Sequence, residues 1–168
     1  IDFSSTPYSK EEADFLVEQC EAPFVKVASM DINNLPFLRY IAKKNVPIVL
    51  STGMAAAEEI ETAVREIEDA GSQNICILHC VSLYPAKEEA VNLKNLLMLK
   101  EAFPDYTVGY SDHTMGIETA CAAVGLGAAL IEKHFTLSNK KIGWDNQMAA
   151  EPADMKALVE GCHKVYRA

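Results

Sequence analysis

Short β-rich apolar runs, each closing on small or polar residues, alternate along this chain with stretches of helical period, and that alternation restricts the fold more than any single residue does. It predicts strands at Phe24 to Ser29, Pro47 to Thr52, Ile75 to Val81, Thr107 to Ser111 and Ala129 to Phe135, with Ile1 to Ser4 as the tail of another. Their starts fall about 22 to 32 residues apart, the pitch of a strand-helix unit. Helices are predicted near Lys10 to Cys20, Leu35 to Lys44, Ala57 to Ala70, Leu93 to Ala102, Ile117 to Gly125 and Pro152 to Tyr166. Ser9 before Lys10-Glu11-Glu12 reads as a capping box, and Pro152 suits a first helical turn. Gly71 and Pro104 supply stop signals.

Repeated strand-helix alternation implies a parallel sheet, either doubly wound or closed as a barrel. Polar residues separate the two. Ser29, Ser51, Ser82, Ser111, His113 and His134 stand at the downstream ends of different strands. A dinucleotide fold would instead gather its site at one Gly-x-Gly-x-x-Gly turn, which this sequence lacks. The expected fold is therefore α/β, a (β/α)8 TIM barrel. A complete barrel takes about 250 residues, so a chain of 168 supplies five or six strand-helix units and should be incomplete.

Composition narrows the function classes. The chain is 49% hydrophobic and 23% charged, enough to bury one core, and one domain is the default reading. A formal charge of −9, with 15 scattered Lys and Arg, argues against a nucleic-acid groove but leaves room for an anionic small molecule held by local donors. No apolar run approaches the roughly 20 residues that span a bilayer, and no basic stretch leads into an apolar signal core. Five cysteines with no Cys-x-x-Cys pair read as buried thiols in a reducing compartment. The expectation is a cytoplasmic protein with no membrane and no nucleic-acid partner. Because the first residue is Ile1, the chain is also expected to be a piece of something longer.

Two histidines carry the chemistry. His113 ends Val108-Gly109-Tyr110-Ser111-Asp112-His113, and His134 ends Ala129-Leu130-Ile131-Glu132-Lys133-His134. Taken singly, each is a strand-end histidine bonded to backbone. If the two runs are neighbouring parallel strands, about 4.8 Å apart, both imidazoles emerge at one end of the sheet and can share an ion with oxygen ligands. Mn²⁺, Zn²⁺, Co²⁺ or Fe²⁺ would suit such a set and would act as a Lewis acid on a carbonyl. Asp112 and Glu132 flank the pair and are placed to orient ligands or move protons. His79, inside a strand, and His163, in the last helix, have weaker claims.

Lys26 interrupts the apolar run Phe24-Val25-Lys26-Val27-Ala28-Ser29. Burying an ammonium costs several kcal/mol unless an anion meets it. Either the lysine snorkels outward, or it points inward at a bound carboxylate or phosphate, or it serves as a Schiff-base nucleophile. Ser29, Ser51, Thr52 and Gly53 then read as hydroxyl and backbone donors at the same rim, although Ser and Gly are ordinary turn residues as well. Asp31-Ile32-Asn33-Asn34-Leu35-Pro36 reads as a turn with an N-cap.

Five segments in series resemble one known family: Phe24 to Ser29 with Asp31-Ile32-Asn33-Asn34, Leu50-Ser51-Thr52-Gly53-Met54, His79-Cys80-Val81-Ser82-Leu83-Tyr84-Pro85, Tyr110-Ser111-Asp112-His113-Thr114 and Ile131-Glu132-Lys133-His134-Phe135-Thr136. They look like the sialic acid synthases, a family that includes N-acetylneuraminate synthases, legionaminate and pseudaminate relatives, and spore-coat polysaccharide homologues. The resemblance covers essentially the whole chain. It implies a (β/α)8 barrel that condenses phosphoenolpyruvate with the open-chain aldehyde of an N-acetylated hexosamine, such as N-acetylmannosamine, giving a nine-carbon 2-keto acid and phosphate. By the same resemblance His113 and His134 hold a divalent metal, usually Mn²⁺. Lys26, Ser29, Ser51, Ser82, Ser111 and Thr6 bind phosphoenolpyruvate, Asp31, Tyr84 and Asp145 hold the sugar, and Glu132 and Lys26 join the two histidines as catalytic groups. The enol-ether carbon attacks the aldehyde, water adds to the resulting oxocarbenium, and phosphate leaves while the lysine offsets the donor's charge.

Departures from the family pattern bear on the acceptor. Many relatives carry Glu at Asp31, Asn at Ser82 and His at Asn146, so the sugar stays open. Members also begin with two strand-helix units, bearing a glutamate and a second phosphate-binding lysine, and end with an antifreeze-like domain that reaches into the partner subunit's site. The resemblance therefore implies that residues 1–168 are a partial barrel domain without those parts, from a protein that is a homodimer at full length. The piece alone is expected to have little turnover. Two other readings stay open: a Schiff-base aldolase using Lys26 or Lys133, and an inactive truncated module that binds a partner through its open edge.

Overall fold

Strand follows strand in the order β1-β2-β3-β4-β5 with helices between, the succession of a (β/α)8 barrel carried to five parallel strands. The computed structural model describes all 168 residues. The chain divides into two compact units, Ile1–Leu78 and His79–Ala168, and the division falls inside β3 (Ile75–Cys80).

In the first unit α1 (Lys10–Asp14) runs on into a π-helical turn, Phe15–Gln19, so the single helix expected there changes its hydrogen-bond period partway. Ser9 caps α1 as expected, its Oγ accepting from the Glu12 N–H at 3.1 Å. The returning arm lands one residue early, with Tyr8 N–H donating to Glu12 Oε2 at 2.7 Å. β1 (Val25–Val27), β2 (Ile48–Ser51) and the start of β3 pair in parallel, with Val25 opposite Ile48, Lys26 opposite Val49 and Ser51 opposite Leu78. Because side chains alternate across a strand, Val25, Val27, Ile48, Leu50, Ile75 and Ile77 share one face, and Lys26, Val49, Ser51 and Leu78 share the other. Every residue of β2 is buried, as both-face coverage of a parallel sheet requires. α2 (Leu35–Ala42) and α3 (Ala57–Asp69) pack together and add Leu38, Ile41, Ala63 and Ile67 to this core. Gly71 ends α3 at φ +103°, a conformation that glycine adopts without penalty.

The predicted strand tail at Ile1 to Ser4 is corrected. Those residues form no strand. Nearby, Lys26 N–H donates to the Ser5 carbonyl at 3.3 Å and Ser4 Oγ donates to the Phe24 carbonyl, and two isolated bonds do not make a ladder.

In the second unit β4 (Thr107–Asp112) pairs in parallel with β5 (Ile131–Lys133), placing Tyr110 opposite Ile131, Ser111 opposite Glu132 and Asp112 opposite Lys133. A short α4 (Glu88–Val91), which the sequence did not announce, precedes α5 (Asn95–Ala102). α6 (Glu118–Gly125) packs on α7 (Pro152–Arg167), burying Ala120, Ala123 and Leu158. The fifth strand is shorter than the predicted Ala129 to Phe135. Beyond it a parallel bridge joins Phe135 to Ala150, and the Ala150 N–H donates to the His134 carbonyl at 2.8 Å. This pins the ends of the intervening segment, which contains Asp145. Of the five cysteines only Cys80 is buried; the other four are half-buried, and all are free thiols. No helix is long and apolar enough to cross a membrane.

Candidate functional site

In the second unit the alternation of β4 and β5 splits the polar residues into two groups on opposite faces. Ser111 and Glu132 point to one face, and His113 and His134 continue it just beyond the strand ends. Asp112 and Lys133 point to the other. The imidazoles meet: their ring centroids lie 5.2 Å apart, tilted by 60°. Tyr84 packs over His113 at 4.3 Å and meets the edge of His134 at 5.8 Å. Asp145 Oδ2 stands 3.6 Å from His134 Nδ1. The structure brings His113, His134, Glu132, Ser111, Tyr84 and Asp145 near one another.

The bonds of His113 define its tautomer. Its Nδ1 lies 2.7 Å from the Val81 carbonyl, which can only accept, so Nδ1 carries the proton. Nε2 then presents a lone pair. The one neighbour in range, Ser111 Oγ at 3.5 Å, spends its hydrogen on Glu132 Oε1 at 2.6 Å. Donation of the second ring nitrogen to a backbone carbonyl is the usual way a metal-binding imidazole is oriented. His134 is held below the ordinary histidine range, first by burial and then by the neighbouring His113, with Asp145 and Glu132 opposing.

The donor set fits a divalent ion in a particular way. No three His, Cys, Asp or Glu side chains gather in a metal-binding arrangement. Within these residues the two imidazoles are the nitrogen donors at the site, and an ion held by them would take its other ligands from oxygen.

Asp112 is corrected. It does not flank the histidines as an acid or a ligand but lies fully buried on the opposite face. Its Oδ1 accepts from Tyr110 OH at 3.1 Å, from Thr114 N at 2.9 Å, from Thr114 Oγ1 at 2.8 Å and from Thr119 Oγ1 at 3.2 Å. Lys133 Nζ meets its Oδ2 at 2.7 Å and donates to the Thr114 carbonyl at 2.6 Å, with only 3% of the lysine side chain exposed. Parity carried the missed signal, because Asp112 shares a face with Val108 and Tyr110. An amine so enclosed offers a substrate carbonyl no approach, which removes Lys133 as a Schiff-base nucleophile. A cavity of about 570 Å³ opens on this same side, lined by Val124, Ile131, Met155, Leu158, Val159 and Tyr166. Its walls are largely apolar and include neither His113 nor His134. His79 is buried within β3 and donates Nε2–H to the Val91 carbonyl at 2.7 Å, and His163 is exposed on α7.

The first unit holds the other predicted residues except Ser82. Lys26 is half-buried on the face of Ser51, and its Nζ donates to the Val27 carbonyl at 3.1 Å. Ser51 Oγ is buried and has no hydrogen-bond partner. Ser29 Oγ accepts from the Gly53 N–H at 2.9 Å, tying the end of β1 to the end of β2. Asp31, in a 3₁₀ turn (Ser29–Asp31), accepts from Asn34 Nδ2 at 3.2 Å, and Thr6 lies half-buried before α1. Ser82 belongs to the second unit, half-buried just past β3.

Known proteins are similar to this chain in sequence and fold. The model of the NeuB family matches residues 1–168. The N,N'-diacetyllegionaminic acid synthase of Campylobacter jejuni is 45% identical over 170 residues, covering all of this chain and 50% of the relative. Spore coat polysaccharide biosynthesis protein SpsE of Bacillus subtilis is 42% identical, covering 96% of this chain and 43% of the relative. Its crystal structure superposes with a TM-score of 0.95 over 99% of this chain and 47% of that one. A truncated 3-deoxy-D-arabino-heptulosonate 7-phosphate synthase of Thermotoga maritima, 15% identical, matches at a TM-score of 0.85 and shares the fold. The chain spans about half the length of the curated relatives it matches.

Proposed function

The chain belongs to the NeuB family, and from that premise we propose that it is the barrel portion of an enzyme that condenses phosphoenolpyruvate with an N-acetylated hexosamine to make a sialic-type nonulosonic acid and phosphate. The observation that carries the reading is the pair of imidazoles, 5.2 Å apart, with the Nε2 lone pair of His113 held open by the Val81 carbonyl.

His113 and His134 hold a divalent cation, Mn²⁺ in this proposal, which when bound polarises the acceptor aldehyde. Lys26, Ser29, Ser51, Ser82, Ser111 and Thr6 bind phosphoenolpyruvate. The unpartnered Ser51 hydroxyl supports that role, since a buried donor without an acceptor is costly and a ligand oxygen relieves it. Lys26 sets its positive charge against the donor's phosphate and carboxylate. Asp31, Tyr84 and Asp145 hold the sugar, and Glu132, steadied by Ser111, exchanges a proton with the reacting oxygen. The C3 carbon of the donor forms the new bond to the aldehyde carbon, water adds at C2, and C2 releases inorganic phosphate. A homodimer located in the cytoplasm belongs to the same proposal.

The test is Mn²⁺-dependent phosphate release from phosphoenolpyruvate on adding N-acetylmannosamine or a related amino sugar, using the full-length protein beside its His113→Ala variant. Release that needs the sugar and the metal, and that disappears in the variant with the fold intact, supports the reading. A lysine adduct trapped by borohydride with pyruvate, without metal dependence, would replace it by a Schiff-base aldolase at Lys26.

A further inference from the structure

We propose that the buried Asp112–Lys133 pair is the positioning device that sets His113 and His134 on one face at one depth; where it speaks of the bound metal, this rests on the function proposed above. The two charged residues are register partners across β4 and β5, and each immediately precedes one of the histidines. Side chains alternate, so a slip of one residue between these strands would carry one imidazole to the opposite face. β5 has only three residues and its backbone contributes few ladder bonds. Hydrophobic pairing alone therefore specifies its register weakly.

The side-chain tie supplies what the short ladder lacks. Lys133 Nζ reaches Asp112 Oδ2 at 2.7 Å, at the end of β4, and the Thr114 carbonyl at 2.6 Å, just beyond it, so it holds the chain on both sides of His113. Asp112 is held in turn by Tyr110, Thr114 and Thr119, which leaves the lysine a single seat. A buried charge finds no second partner at a shifted register. That penalty is how an internal polar group selects one alignment over others.

The test uses the full-length protein and the double variant Asp112→Asn/Lys133→Gln, which removes both charges while keeping an acceptor for Thr114 and a donor for its carbonyl. Lys133→Met is run beside it, and Arg39→Gln, which breaks only the ion pair with Glu66 between α2 and α3, serves as a control that spares the tie. Two readouts are taken on protein whose circular dichroism matches the parent: the nuclear Overhauser cross-peak between the His113 and His134 ring protons in metal-free protein, and the Mn²⁺ dissociation constant by calorimetry. We expect the double variant to lose the cross-peak and to bind Mn²⁺ about 10- to 100-fold more weakly, with Arg39→Gln near the parent on both. A folded double variant that keeps the cross-peak overturns the inference whatever its Mn²⁺ affinity. If the parent binds no Mn²⁺ but the double variant still loses the cross-peak, the metal reading fails and the positioning role stands.

Discussion

Ser111 donates its hydroxyl to Glu132 Oε1 at 2.6 Å, and the same two residues are partners in the β4–β5 register. The carboxylate is thereby aimed along the face that carries both imidazoles. Glu132→Gln keeps the size and an oxygen for Ser111 but removes the basic group. Its kcat for phosphate release should fall by about 10²- to 10⁴-fold, the range for loss of a general acid or base, with little change in thermal midpoint. A variant with parental kcat would leave Glu132 without a catalytic part.

The two histidines should separate when stability and metal affinity are measured together. His113 is buried, bonded to the Val81 carbonyl and stacked under Tyr84, whereas a third of the His134 side chain is exposed. Either alanine variant should abolish Mn²⁺ binding by calorimetry. Only His113→Ala should also cost about 1–3 kcal/mol in urea unfolding, from the lost bond and ring contact. Equal stability loss in the two would contradict this division.

Ser51→Ala should act in opposite directions on stability and binding. The Ser51 hydroxyl is buried without a partner, so removing it should leave the ligand-free thermal midpoint unchanged or higher. The same change should raise KM for phosphoenolpyruvate by about 10- to 100-fold, the equivalent of one hydrogen bond to a charged group. A lowered midpoint with an unchanged KM would mean that the hydroxyl serves the fold.

His79 should make stability depend on pH. Burial holds its imidazole below the ordinary range, against a smaller opposing effect from its bond to the Val91 carbonyl. The unfolded chain therefore takes up a proton near pH 6.5 that the folded chain resists. The stabilising contribution is complete above that pH and is lost as pH falls through the lower, folded value. Urea midpoints between pH 7.5 and 5 should drop, and His79→Gln, whose amide can still donate to Val91, should make the drop shallower. An unchanged slope would assign the pH dependence to other groups.

Much of the fold is legible without coordinates because local physics dictates it. Ile48 to Leu50 reads as a strand buried on both faces from its β-branched apolar run and the turn residues around it, and Ser9, Gly71 and Pro152 mark helix ends through hydrogen bonds and φ angles within a few residues. The π-helical turn at Phe15–Gln19 and the helix at Glu88–Val91 are less legible, since neither has a distinctive period over so short a length. Asp112 shows the limit for the site. Its neighbour His113 made it look like a site acid, yet its face follows from Tyr110.

The amino-acid order by itself determined the strand-helix succession and the appearance of an imidazole at the end of two consecutive apolar runs, because period and punctuation are local properties. Which atoms those imidazoles face was decided only in three dimensions. The carbonyl of Val81, the ring of Tyr84 and the carboxylate of Asp145 arrive from distant parts of the chain. It is the pairing of β4 with β5 that sends Asp112 and Lys133 one way and His113 and His134 the other.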